Sequence, residues 1–140
     1  RLIKSPKLYF CDVGLAAWLL GIHKPEEVAF HAMRGSLFET MVVAEFLKRC
    51  WHDGKPSNLY FWRDSNGLEI DLVLEQGEQL IPIEIKSGTT IAADFTANLK
   101  KWQQLSGTTE QPAWLIHGGD QRFDTGSIQL LSWRDLEQAG

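Results

Sequence analysis

Cysteine is scarce in this chain. Cys11 and Cys50 stand alone and far apart, with no second ligand at metal-binding spacing. That excludes a zinc ribbon or a disulfide-stapled scaffold. The expectation is two incidental thiols in a reducing, cytoplasmic setting. No apolar run approaches the roughly 18 residues of a membrane span, so no membrane partner is expected. The four histidines, His23, His31, His52 and His117, form no H-x-x-x-H or similar ligand pattern. G-x-x-x-x-G-K-[ST] is missing, which removes a nucleotide-binding P-loop. There is no G-x-S-x-G elbow and no Cys–His pair to carry nucleophilic catalysis. Basic residues are outnumbered, 14 against 18 acids, for a net charge of −4. This argues against a broad basic surface but leaves room for a local patch. No repeat, low-complexity tract or signal peptide is visible. Arg1 is not a natural start, and the chain reads as a piece cut from a longer protein.

What remains is an ordinary α/β domain. The 140 residues, 44% of them hydrophobic and 23% charged, suit one domain with a real core. Residues 1–34 read as a connector packed onto the main domain, which runs from 35 to 140. Lys4-Ser5-Pro6-Lys7 is a polar breaker, followed by the apolar run Leu8-Tyr9-Phe10. Asp12 can N-cap a short helix from Val13 to Leu20, stopped by Gly21. Pro25, Glu26 and Glu27 can open another turn or short helix. Ser36-Leu37-Phe38-Glu39 has the form of a capping box and predicts a buried helix through about Cys50. Strands are expected at Leu59–Arg63, Glu69–Glu75 and Leu80–Lys86. A helix follows from about Asp94 to Leu105, with Asp94 as its cap, ended by Gly107. Strands at Ala113–His117 and Ile128–Leu131 and a last short helix, Trp133 to Gln138, complete the chain. A meander followed by a crossover helix implies a mixed α/β sheet.

The hairpin between the second and third strands carries the chemistry. Gly77-Glu78 suits a two-residue type II′ loop, which places Gln76 opposite Gln79. Counting back, Leu74 faces Ile81, Leu72 faces Ile83 and Ile70 faces Ile85. The same register sets Asp71 against Glu84 and Glu69 against Lys86, on one shared face. Two opposed carboxylates, their Cβ atoms roughly 5 Å apart, repel. In a covered sheet they do not both stay ionised comfortably without a cation, and a hard divalent ion suits oxygen ligands. The plainer alternative is a solvated hairpin face with a Glu–Lys cross-strand pair. Pro82 is a warning of an edge or bulge.

Other residues have two readings each. Glu39 projects onto the apolar side of its helix, at about 100° per residue, where an unpartnered carboxylate is expensive. It either closes the capping box onto Ser36 or is a third acid facing the sheet. Trp62 shares a face with Asp71 if Asn66-Gly67 forms a tight type I′ loop; it then stacks on a base or simply packs in the core. Arg63, Lys100 and Lys101 either touch phosphates or are solvated charges.

Glu69-Ile70-Asp71, twelve residues, then Glu84-Ile85-Lys86 has the form D-x(n)-E-x-K and resembles the PD-(D/E)XK signature of restriction-endonuclease-like nucleases. The order helix, three strands, helix, strand resembles their core, and Glu39 matches the first-helix acid many of them possess. Ile70 stands where the proline of "PD" would. A second resemblance covers most of the chain. Lys4-Ser5-Pro6-Lys7-Leu8-Tyr9-Phe10-Cys11-Asp12-Val13-Gly14-Leu15, Phe38-Glu39, Phe61-Trp62-Arg63-Asp64, Glu69-Ile70-Asp71-Leu72-Val73 and Ile83-Glu84-Ile85-Lys86-Ser87 resemble phrases of the C-terminal domain of unknown function in bacterial and archaeal AAA-type ATPases. Together these resemblances imply a restriction-endonuclease-like fold behind an N-terminal ATPase and winged-helix region, which alone would take ATP. They imply Mg²⁺ or Mn²⁺ on Asp71, Glu84 and the Ile85 carbonyl, with Lys86 and Glu39 assisting hydrolysis of nucleic acid, DNA favoured. A catalytically inactive nucleic-acid-binding or regulatory module, or a protein-docking domain, is the alternative.

Overall fold

The alternating apolar residues of the central hairpin decide the layering. The computed structural model describes residues 6–138, so Arg1, Lys4, Ser5 and the expected domain end at residue 140 lie outside the described residues. The elements are α1 (Val13–Leu19), α2 (Pro25–Val28), α3 (Arg34–His52), β1 (Leu59–Arg63), β2 (Glu69–Gln76), β3 (Gln79–Lys86), a 3₁₀ turn (Ala93–Thr96), α4 (Ala97–Ser106), β4 (Ala113–His117), β5 (Phe123–Thr125), β6 (Ile128–Ser132) and a terminal 3₁₀ segment (Trp133–Gln138). The result is a mixed α/β fold with a six-stranded sheet ordered β1-β2-β3-β4-β6-β5. β3, β4 and β6 run parallel, and the remaining pairs are antiparallel.

One face of the sheet takes α3. Val42, Val43 and Phe46 pack there on Leu72, Leu74, Ile81, Ile83, Ile85, Trp114 and Ile116. The other face takes α4, where Leu99 and Trp102 meet Ile70, Val73, Ala113, Leu115, Ile128 and Leu130. β4 feeds both clusters alternately and is buried along its whole length, as expected of a central parallel strand. α1 lies against α3 through Ala16, Ile22 and Leu37, so the segment before residue 34 is packed onto the sheet-bearing part. Among the described residues, no helix is long and apolar enough to cross a membrane. Both cysteines are free thiols.

The predicted hairpin register is observed from Gln76↔Gln79 back to Leu72↔Ile83, where Gly77 at φ +63° makes the turn. There the ladder stops. The expected pairs Asp71↔Glu84, Ile70↔Ile85 and Glu69↔Lys86 do not form. The cause is a bulge. Tyr60 pairs with Val73 and Trp62 with Ile70, two steps on β1 against three on β2. The extra residue turns Ile70 to the α4 face, while Leu72 stays on the α3 face.

Three local expectations are corrected. The 64–67 turn is not a two-residue loop, because Asp64 N–H donates to the Leu68 carbonyl and Asp64 Oδ1 accepts from Asn66 and Leu68 N–H. This shifts β1 by one residue and sets Trp62 opposite Ile70, in the apolar cluster rather than beside Asp71. α3 begins at Arg34, so Ser36 lies inside the helix and no capping box forms. Asp94 sits within the 3₁₀ turn and does not cap α4, whose N-cap position is Thr96.

Candidate metal centre at the bulge in β2

The bulge gives Asp71 its position. The Ile85 N–H, which a continued ladder would hand to a β2 carbonyl, donates instead to Asp71 Oδ2 at 2.9 Å. The Lys86 carbonyl accepts from Gly118 N–H on the β4 side, so by alternation the amide groups of Ile85 face β2. The Ile85 carbonyl therefore opens toward the same side as Asp71. Alternation along β3 sends Ile83 and Ile85 to the α3 face and Glu84 and Lys86 to the α4 face. Asp71, re-aimed by the bulge, stands where β2 and β3 part.

Glu84 is 2% exposed, and its Oε1 has no hydrogen-bond partner among the described residues. Its other oxygen, Oε2, lies 3.4 Å from Lys86 Nζ. Burial pushes the Glu84 carboxyl up to about 7, and the charge of Asp71 adds to the rise while Lys86 opposes it. Burial also raises Asp71 above the usual carboxylate range; the Ile85 N–H pulls the other way, and the Glu39 charge raises it further. A shared proton or a cation relieves such a pair. Lys86 extends from the same face toward the Phe95 ring, 5.9 Å from its centroid.

Glu39 reaches the centre from α3, through a cation. Lys7 Nζ lies 3.0 Å from Glu39 Oε1, 2.7 Å from Glu69 Oε1 and 3.5 Å from Asp71 Oδ1. It also sits 4.7 Å from the Phe61 ring centroid. Burial alone would lower the Lys7 ammonium, but its bonds to Glu69 and Glu39 and the Glu39 charge hold it above the ordinary lysine range. Tyr9 donates to the same Glu39 oxygen at 2.6 Å; burial and that carboxylate keep its phenol protonated. Glu69 thus faces Lys7 and, at 3.9 Å, Arg63 Nε rather than Lys86.

Asp71, Glu84, Ile85 and Lys86 are brought together, and Glu39 joins them through Lys7. Trp62 is packed away, and Arg63 is exposed. Lys100 and Lys101 are exposed on α4, with no hydrogen bond or ion pair to the centre. Lys7 and Tyr9 carry no role legible in the sequence, and Glu69 is expected on Lys86 but pairs with Lys7. The one sequence signal is the i, i+2 spacing of Lys7 and Tyr9 on an extended segment, which puts both on one side.

Among the described residues, no group of three or more His, Cys, Asp or Glu side chains is arranged to hold a metal ion. The donor set is instead two carboxylates, Asp71 and Glu84, with the Ile85 carbonyl. That set fits a single Mg²⁺ or Mn²⁺, which keeps several waters and is often bound by one or two carboxylates plus substrate phosphate. The unpartnered Glu84 Oε1 is the observation that supports the fit.

Residues 34–136 match the model of a domain of unknown function, DUF4143. The chain belongs to this family. Among curated proteins the chain is similar to an uncharacterized protein of Mycobacterium bovis and to one of Mycobacterium tuberculosis. Each is 31% identical over 87 residues, covering 62% of this chain and 19% of the relative. The aligned stretch is thus about a fifth of those proteins' length. No solved structure matches the chain.

Proposed function

We propose that this DUF4143 domain carries out divalent-cation-dependent hydrolysis of phosphodiester bonds in nucleic acid, with DNA the favoured substrate. The observation that carries the reading is the buried, partnerless Glu84 oxygen beside Asp71. Two carboxylates in that state bind a hard cation more readily than they coexist as bare anions. The α/β order and the E-x-K on β3 support a restriction-endonuclease-like reading of the fold.

In this reading Asp71, Glu84 and the Ile85 carbonyl hold Mg²⁺ or Mn²⁺. The ion, when bound, acidifies the attacking water and neutralises charge on the scissile phosphate. Lys86 lies 3.4 Å from Glu84 Oε2, is partly exposed, and is the ammonium able to turn toward that phosphate. The Ile85 N–H fixes the Asp71 carboxylate so that it does not rotate away from the ion. Residues 1–34 act as the connector and 35–140 as the nuclease-like domain. The domain works in the cytoplasm, attached to an ATPase that precedes it in a longer polypeptide.

The test is cleavage of single- and double-stranded DNA and RNA with Mg²⁺ or Mn²⁺, comparing wild type with Asp71→Ala and Lys86→Ala. Loss of activity in both variants, with folding intact, is expected. Equal activity in all three proteins refutes the assignment. One observation favours a second reading, a catalytically inactive binding or regulatory module: the Lys7 ammonium already stands 3.5 Å from Asp71. Nucleic-acid binding without cleavage under any metal would select it.

A further inference from the structure

We propose that Arg34 is a substrate-binding residue that holds a nucleic-acid phosphate next to the one facing Lys86. The inference rests on reading this centre as one that takes nucleic acid. Arg34 opens α3, and its Nη2 donates at 2.7 Å to the carbonyl of Ser87, the residue directly after Lys86. The same stretch of chain is held from the other side. There Gly118 N–H donates to the Lys86 carbonyl at 3.1 Å and to the Gly88 carbonyl at 3.0 Å. The guanidinium is therefore fixed at the end of β3, with its anchor one residue from Lys86.

Its charge has no counterpart. Among the described residues Arg34 makes no ion pair, and its other bond is a long one, 3.5 Å from Nη1 to the Ala29 carbonyl. The acids of the centre are engaged elsewhere, Glu39, Glu69 and Asp71 with Lys7 and Glu84 with Lys86. The first turn of α3 holds no acid, and the helix dipole there disfavours a cation. A half-buried charge in such a place is costly until an anion meets it. A guanidinium carries five N–H donors in a planar fork, and carbonyls take only two of these. The rest of the fork suits phosphate oxygens. A nucleic-acid strand carries one phosphate per roughly 3.4 Å of axis, so a strand with one phosphate at Lys86 brings a neighbouring one past Arg34. Arg63, by contrast, already faces Glu69.

The experiment is fluorescence-anisotropy titration of labelled single-stranded and duplex DNA, in two unrelated sequences, with wild type, Arg34→Gln and Arg34→Lys. It is run in a chelator at several salt concentrations, and each protein is checked by circular dichroism. Gln keeps a donor for the Ser87 carbonyl and removes the charge. Arg34→Gln is expected to bind about five- to tenfold more weakly near 0.1 M salt, by the same factor for both sequences. Its salt slope should be shallower by about 0.7 on single strands and about 0.9 on duplex, while Arg34→Lys keeps the wild-type slope. Equal affinity and slope in wild type and Arg34→Gln, or a loss confined to one sequence, overturns the role of Arg34. A slope reduced equally in Arg34→Lys marks a purely structural residue and overturns it too. No binding by wild type overturns this inference and the nucleic-acid reading beneath it. Binding that follows the prediction, without cleavage in Mn²⁺, sustains Arg34 and refutes the hydrolysis alone. If Arg34→Gln does not fold, phenylglyoxal modification of wild type, read by mass spectrometry, decides. Protection of Arg34 by the oligonucleotide supports the proposal, and modification unchanged by it overturns it.

Discussion

Glu84→Gln removes a buried charge without changing the shape of the side chain. The Glu84 carboxyl is pushed from an ordinary 4.5 to about 7 by burial and by Asp71. Between those values the folded protein holds a proton that the unfolded chain has released. Stability must therefore fall as pH rises through this window. The rise in proton affinity corresponds to at most about 3 kcal/mol. Below about pH 4.5 the wild-type side chain is neutral in both states, and Gln should match it. Above about pH 7 the wild type carries the full penalty and the variant does not. Urea unfolding in a chelator at pH 4.5, 6 and 8 reads this directly. The variant should be more stable at pH 8 by about 1–3 kcal/mol and nearly equal at pH 4.5. Parallel pH profiles for the two proteins would refute the claim that Glu84 is a buried acid whose burial outweighs its pairing with Lys86.

Other perturbations address the surroundings of the centre. Tyr9→Phe deletes the 2.6 Å bond to Glu39 and should destabilise by about 1–2 kcal/mol in denaturant unfolding. Gly118→Ala brings a methyl group onto the Ser87 carbonyl, where the loop after β4 crosses the loop after β3. A drop in unfolding free energy of about 2 kcal/mol is expected, with weaker activity because that loop follows Lys86 directly. Ile83→Ala empties a fully buried position in the α3-side cluster and should cost about 2–5 kcal/mol by the same assay.

The sequence revealed the hairpin best where local rules were mutually consistent. A Gly-led turn and opposed apolar residues specified the pairing from Gln76↔Gln79 to Leu72↔Ile83. The run failed at Asp71 because nothing in Glu69-Ile70-Asp71-Leu72 marks an extra residue. The bulge is set by how β1 meets β2, a tertiary fact. Glu39 was read correctly as needing a partner. The partner was not, since Lys7 lies 32 residues away on an extended segment. The capping box at Ser36 was a true local pattern overridden by a helix that starts at Arg34. β5, three exposed residues on the sheet edge, has too little apolar pattern to be seen in advance. Asp71, Glu84 and Lys86 were legible as a group, but their arrangement around the parting of β2 and β3 was not.

The central claim is that Asp71 and Glu84 form a divalent-cation centre. It is tested most directly by Mn²⁺ titration of wild type against Asp71→Asn and Glu84→Gln. Saturable binding of one ion to wild type, lost in both variants, is the predicted result. Absence of binding to wild type, or binding that survives both substitutions, would contradict it.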